Sequence, residues 1–308
     1  MILGGVAIVD EFHPVCPDDG VRLERRRNET GDQAVYCPGC ARSFSTANGT
    51  GDLLDLAPSE SQADGILGPE NAVVYRDLVS ETVEQAHARG DAASPWGDPR
   101  SSQSGWIAKR EHHALWALER LEGDDLAQLT VCDVSGGAGY VTFALASRAK
   151  RVVHCDLSAQ SIIYVRRRAQ ELGLSNIYFC RADYLRFPFK HAFDRVVCFD
   201  TLVRGWEHER RAIQQISEAV APGGFALIDL HNWWHNPVRR IGLLPNNFVG
   251  NRSYRRREIP SLMLQAGVRQ YSVEPYYPET KSGGSPSGIL GGLLQPTRFS
   301  LRFDSRPV

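Results

Sequence analysis

The sequence lacks a long apolar run. Nothing in its 308 residues approaches the roughly 18 consecutive apolar positions that a membrane helix needs, so no membrane association is expected. It also lacks a dominant charge. The formal net charge is −1, which leaves no molecule-wide basic field for nucleic acid. The basic clusters Arg25–Arg27, Arg166–Arg168 and Arg255–Arg257 stand beside acids or at helical spacing and read as solvated faces. The opening MILGGVAIVDEF has no basic leader, and its apolar stretch stops at Asp10, so no signal peptide is expected. No internal repeat is visible.

A disulfide framework is absent too. The seven cysteines are odd in number and irregular in spacing. Cys132, Cys155, Cys180 and Cys198 each fall in an apolar, strand-like run and read as small core residues in a reducing compartment. A cytoplasmic protein is the expectation. Cys16, Cys37 and Cys40 form a separate N-terminal group.

With 42% hydrophobic and 23% charged residues, the chain is globular and long enough for more than one unit. Residues 1–58 are short-patterned, turn-rich and cysteine-bearing. Residues 59–125 hold two helical patterns around a Ser/Pro/Gly-rich loop, expected to form a lid or linker. From 126 to 308, apolar strands alternate with amphipathic helices: TVCDV, YVTFALASRA, RVVHCDL, SIIYVRRRAQELGL, IYFCRAD, FDRVVCFD, RRAIQQISEAVA and GFALIDL. That alternation predicts an α/β fold with a parallel sheet and helices on both faces.

Near the N-terminus, VCPDDG (15–20) precedes YCPGCARSF (36–44). CPGC is a knuckle whose two thiolates can hold one tetrahedral ion, and CPDDG has the same shape with Asp19 in the second position. Cys16, Asp19, Cys37 and Cys40 are therefore candidate ligands of a structural zinc ion, with His13 as a competing fourth ligand. A degenerate ribbon that persists by packing alone is the alternative. The stretch CPGCARSFSTANGTGDLLDL resembles the small zinc-ribbon proteins that activate tRNA and protein methyltransferases. It also resembles the ribbon that opens certain ribosomal RNA guanine methyltransferases.

The segment TVCDVSGGAGYVTFALASRAKRVVHCDLS (130–158) reads as strand, glycine-rich turn, helix and second strand. Such a turn brings backbone N–H groups close to a ligand. A dinucleotide fingerprint would place glycine or alanine at 142, where Thr142 stands. Written from Asp133 as D-x-S-x-G-x-G, with Gly137 and Gly139, the run resembles the first motif of class I S-adenosylmethionine-dependent methyltransferases. Ser135 replaces that motif's first glycine. A negative φ at 135 would make the serine cheap, and a positive one would strain the turn by roughly 1 kcal/mol or more.

The resemblance extends over 126–308 in order. Asp156 closes the second strand, with Leu157 after it, where the family's acid accepts both ribose hydroxyls; Ser158 can then cap the next helix. Asp183 ends the third strand near the expected adenine, and Tyr184 is placed along its ring. FDRVVCFDTL resembles the fourth strand, APGG the turn into the fifth, SYRRREIPSLMLQAGV the late helix and RFSLRF the antiparallel seventh strand. The resemblance thus implies a Rossmann-like seven-stranded methyltransferase sheet with a small N-terminal zinc-ribbon-like β unit and a helical lid. It implies S-adenosylmethionine rather than NAD.

Methyl transfer is an in-line displacement, so the enzyme positions the acceptor and can remove a proton. In the loops after the fourth and fifth strands, Asp200 is a candidate contact to the cofactor's methionine end. His208 and His231 are candidate bases. Trp206, Trp233, Trp234 and Tyr276 are candidate substrate contacts. Each has a plainer alternative as helix start or core cover. Three functions remain open: methylation of O or N on a small molecule, RNA base methylation with the ribbon docking RNA, and a non-catalytic assembly role. The absence of an Asn/Asp-Pro-Pro-Tyr/Phe tetrapeptide after the fourth strand counts against one RNA-directed subclass.

Overall fold

The computed structural model describes residues 7–27, 33–46, 50–53, 78–89, 104–121, 125–233, 253–277 and 298–304. Helix α1 (Ala7–Phe12) leads into a three-stranded antiparallel sheet of β1 (Glu24–Arg27), β2 (Gln33–Tyr36) and β3 (Ser43–Phe44). Its inward residues Val35 and Phe44, with Leu23 just before β1, share one core with α1 and with the large sheet. Phe12 stands edge-on to Tyr178 at a centroid distance of 4.9 Å and lies 5.7 Å from Phe193.

Strand β4 (Thr50–Asp52) leaves this unit and joins the large sheet. Helices α2 (Val83–Arg89) and α3 (Ser104–Leu121) follow. Next come β5 (Thr130–Val134), α4 (Tyr140–Ala146), β6 (Arg151–Asp156), α5 (Ala159–Glu171), β7 (Ile177–Arg181), β8 (Phe193–Cys198), α6 (Trp206–Ala219) and β9 (Val220–His231). Helix α7 (Ile259–Gln265), β10 (Tyr271–Tyr276) and β11 (Arg298–Asp304) complete the described elements.

The strand order is β10-β11-β9-β8-β5-β6-β7-β4. β11 runs antiparallel between β9 and β10, and the other pairings are parallel. Seven of these strands are those expected from the sequence. β4 is an eighth, added beside β7 by the N-terminal segment, which the apolar pattern of 126–308 could not reveal.

The central strands are buried on both faces because their residues alternate between two cores. Cys132, Cys155, Cys180 and Cys198 point to the face shared with the N-terminal unit, α6 and α7. Val131, Val152, Phe179 and Val197 point to the face covered by α3, α4 and α5. On that second face Trp116 of α3 stacks on Tyr276 at 4.2 Å and stands edge-on to Phe199. The order reverses between β5 and its neighbours β6 and β8, which opens a crevice at the carboxyl ends of these strands.

Candidate functional site

The turn after β5 carries three left-handed residues: Ser135 (φ 57°), Gly137 (φ 54°) and Gly139 (φ 80°). Of the two outcomes weighed for Ser135, the strained one holds. Gly139 has a second constraint, since a Cβ there would lie 2.8 Å from Val165 Cγ1 and 3.0 Å from Phe143. Gly136 was not singled out from the sequence, yet a Cβ there would meet His154 Nδ1 at 2.5 Å and Asp133 Oδ2 at 2.8 Å. Asp133, placed with the cofactor contacts from the motif, is buried beneath the turn. Its Oδ2 accepts the Thr142 hydroxyl at 2.6 Å.

Asp156 sits at the mouth of the crevice. Its Oδ2 accepts the Gly137 N–H at 2.9 Å and its Oδ1 the Ser158 N–H at 2.8 Å. Each oxygen keeps acceptor capacity for a hydroxyl donor. Burial pushes its carboxyl up to about 6, against these N–H bonds and the Arg181 charge. The Ser158 hydroxyl caps α5 by accepting from Ser161 N at 3.3 Å, so capping and ligand roles fall on different residues. Leu157 is half-buried beside it. Asp183 turns one oxygen onto the Leu185 N–H at 2.8 Å.

Asp200 is also left-handed (φ 58°). Its N–H donates to Asp229 Oδ1 at 2.7 Å, and Arg298 of β11 pairs with both Asp200 and Asp229. Burial opposes the Arg298 charge, but the two carboxylates outweigh it and raise its pKa. His231 Nε2 lies 3.5 Å from Asp200 Oδ1. Burial and then the Arg298 charge hold His231 below its ordinary pKa, so it is neutral near pH 7. Arg298 and Asp229 carry no motif signal and were missed from sequence.

A second buried group surrounds α6. The Tyr184 hydroxyl lies 2.9 Å from His208 Nε2, and their rings meet edge-on at 5.5 Å. Burial keeps the phenol protonated, and the His208 tautomer sets which of the two donates. Glu209, fully buried, accepts Tyr254 Oη at 2.9 Å, Arg204 N at 2.5 Å and Gly205 N at 2.8 Å. His208 is therefore engaged with Tyr184 inside the fold, and Tyr184 with it.

Residues 131–224 match the family model described as Methyltransferase domain. That span runs from β5 into β9 and takes in the turn, Asp156 and Asp200. This part of the chain is similar to a methyltransferase domain.

Among solved structures, the magnesium protoporphyrin IX methyltransferase of Synechocystis PCC 6803 with bound SAH superposes with a TM-score of 0.53. The match covers 76% of this chain and 99% of that one at 18% identity, a likeness of fold. The tRNA 5-carboxymethoxyuridine methyltransferase of Escherichia coli (strain K12) is 28% identical over 158 residues, 49% of this chain. The chain spans 54% of that relative's length, about half. A Protein-L-isoaspartate O-methyltransferase of Magnetococcus marinus is 24% identical over 173 residues, covering 56% of this chain and 72% of the relative.

The aromatic candidates around the methyltransferase domain are dispersed. Trp206 donates its indole N–H to Gln265 Oε1 of α7 at 3.0 Å. Trp233 lies under the Arg255 guanidinium at 4.2 Å, and its N–H donates to the Tyr254 carbonyl. Tyr276 is fully buried against Trp116 and His113, in the core rather than at an opening. Trp234 lies outside the described residues.

The N-terminal candidates come together. The ligand atoms of Cys16, Asp19, Cys37 and Cys40 all lie within 4.8 Å of one another. Cys16 Sγ and Cys40 Sγ are 3.7 Å apart, and Cys37 Sγ is 3.3 Å from Asp19 Oδ2. Those spacings suit a tetrahedral ion with metal–sulfur bonds of about 2.3 Å. A Cβ at Gly39 would sit 2.4 Å from Asp19 Oδ2, so the knuckle glycine makes room for the carboxylate. His13 is not in the group; its Nδ1 faces Arg22 and the Val9 carbonyl. Burial pushes the Cys16 thiol up to about 12.

Proposed function

We propose that this protein is an S-adenosylmethionine-dependent methyltransferase acting on O or N of a small molecule. The observation that carries this reading is the Asp156 carboxylate, held by Gly137 N–H and Ser158 N–H at the carboxyl end of β6 with capacity left for a diol. Bound S-adenosylmethionine supplies an electrophilic methyl group. The chain's part is to hold the ribose at Asp156, leave the half-buried backbone of Ser135–Gly137 open to the methionine moiety, and present Asp183 to the adenine.

In this reading His231, rather than His208, takes a proton from the acceptor. It stands at the end of β9, is neutral near pH 7, and has Asp200 beside it to stabilise the protonated ring. Cys16, Asp19, Cys37 and Cys40 hold a structural zinc ion that braces the N-terminal unit.

Calorimetric titration with S-adenosylhomocysteine tests the cofactor site. Micromolar binding to the wild type and its loss in Asp156→Ala is the expected result. No binding to the wild type at millimolar ligand overturns the reading and favours the non-catalytic assembly role.

A second reading takes RNA as the acceptor. It is favoured by the fully exposed strand β1, ERRR, on the N-terminal unit, and by the relative whose name specifies tRNA. In β1, Arg25 is already paired with Asp10, and Arg26 lies over Tyr36, which reduces the free charge. Binding of a tRNA pool that weakens steeply with salt would support it, and salt-insensitive or absent binding would remove it.

A further inference from the structure

Arg181, the last residue of β7, has no exposed surface and serves three separate segments. Its Nε donates to the Leu157 carbonyl at 3.0 Å. Nη1 lies 3.3 Å from Asp52 Oδ2. Nη2 donates to the carbonyls of Leu78 at 3.1 Å and Val79 at 3.3 Å. A guanidinium is a rigid fork of donors, so meeting all these acceptors at once fixes their relative positions.

Those positions matter for the cofactor site. Leu157 directly follows Asp156, and Asp156 and Arg181 are partners in the β6–β7 register. The Ala182 N–H donates to the Asp156 carbonyl at 3.2 Å. Asp52 belongs to β4, the strand through which the N-terminal unit enters the large sheet, and faces Arg181 in the β4–β7 register. The Asp52 N–H in turn donates to the Ser45 carbonyl, just beyond β3. One side chain thus ties the backbone under the Asp156 carboxylate to the N-terminal unit and to the helical residues 78–80 before α2.

We propose that Arg181 is a positioning residue that clamps the Asp156–Ser158 backbone to β4 and the helical residues 78–80, so that the seat of the N-terminal unit sets cofactor affinity. This rests on the reading of Asp156 as the ribose acceptor. The groups facing Asp156 are Arg181 from β7, the Gly137 N–H from the turn after β5, and the N–H groups of Leu157 and Ser158 that follow it in the chain. Asp52 is paired with Arg181, and Glu84 of α2 also feels its charge. Removing the Arg181 charge makes Asp156 harder to ionise; removing the Asp52 charge leaves Arg181 less neutralised and makes Asp156 easier to ionise.

The test is calorimetric titration of S-adenosylhomocysteine from pH 5 to pH 8 with wild type, Arg181→Met, Arg181→Lys and Asp52→Asn, folding being checked by circular dichroism. Arg181→Met is expected to weaken binding about tenfold at pH 7.5, the scale on which supporting partners act. It should also move the acid-side loss of affinity to higher pH. Asp52→Asn should move that loss to lower pH, and Arg181→Lys should weaken binding with the midpoint kept. Should Arg181→Met fail to fold, the opposite shift in Asp52→Asn and the kept midpoint in Arg181→Lys still decide. In a wild type that binds, unchanged affinity in both Arg181 variants, or an unmoved midpoint in both Arg181→Met and Asp52→Asn, overturns the clamp alone. No binding by the wild type overturns the cofactor reading and the clamp with it.

Discussion

Thr142 donates its hydroxyl to Asp133 Oδ2 at 2.6 Å, joining the first turn of α4 to the end of β5 beneath the glycine-rich turn. The Thr142 Oγ1 also lies 2.7 Å from His154 Nδ1. Since the threonine proton is committed to Asp133, the network assigns a proton to His154 Nδ1. The position that breaks the dinucleotide fingerprint is thus the pivot of a buried trio. Thr142→Val should cost about 1–3 kcal/mol, the scale of a buried polar group left without its partner. Urea unfolding would read it.

Burial pulls His154 down to about 3, so it stays neutral in the native state while the unfolded chain protonates near 6.5. The unfolded state therefore binds the extra proton, and the native state loses stability as pH falls from 6.5 toward 3. Relative to a His154→Gln variant, the wild type should lose about 1.4 kcal/mol per pH unit through the middle of that window. Parallel denaturation curves at pH 7, 6 and 5 would show it, and equal slopes for the two proteins would refute it.

Ser135→Gly should stabilise the protein, because a left-handed non-glycine residue costs roughly 1–2 kcal/mol, offset in part by the added chain entropy of glycine. Gly139→Ala should do the reverse and cost more, since the new Cβ also meets Val165 and Phe143. Comparing the two by thermal melts separates a tolerated serine from a required glycine.

Arg298→Met should destabilise strongly, by about 3–5 kcal/mol, because it leaves the buried Asp229 and its half-buried neighbour Asp200 without their cation. A small loss, under about 1 kcal/mol in equilibrium unfolding, would show that the cluster admits water.

Purified protein should carry one zinc ion per chain by elemental analysis, and a chelator should lower its melting temperature. Binding must displace the proton that burial holds on Cys16, so zinc affinity should fall as pH falls. Asp19→Cys should tighten the site and Asp19→Ala weaken it. Zinc-free protein with unchanged melting would assign the unit to packing alone.

Much of this molecule was legible in local spacing. The alternation of TVCDV, RVVHCDL, IYFCRAD and FDRVVCFD with helical patterns gave the sheet, because the strand period and the helix period are both local properties. The two knuckles announced their cluster for the same reason, and Asp156 announced itself by closing a strand after a glycine-rich turn. His208, a candidate base, and Tyr276, a candidate substrate contact, both lie buried, against Tyr184 and Trp116. Exposure depends on what packs above a residue, and Tyr184 and Trp116 come from distant segments.

Residue order alone determined which chemistry could be assembled: a glycine-rich turn, a carboxylate at the next strand end, four candidate metal donors. Only tertiary structure decided the pairings that hold it in place. Arg181 with Asp52, Arg298 with Asp200 and Asp229, and Tyr254 with Glu209 join segments far apart in the chain. These partners are set by how strands, helices and loops pack together, and burial enforces the matches because an unpaired charge or hydroxyl there would be too costly to keep.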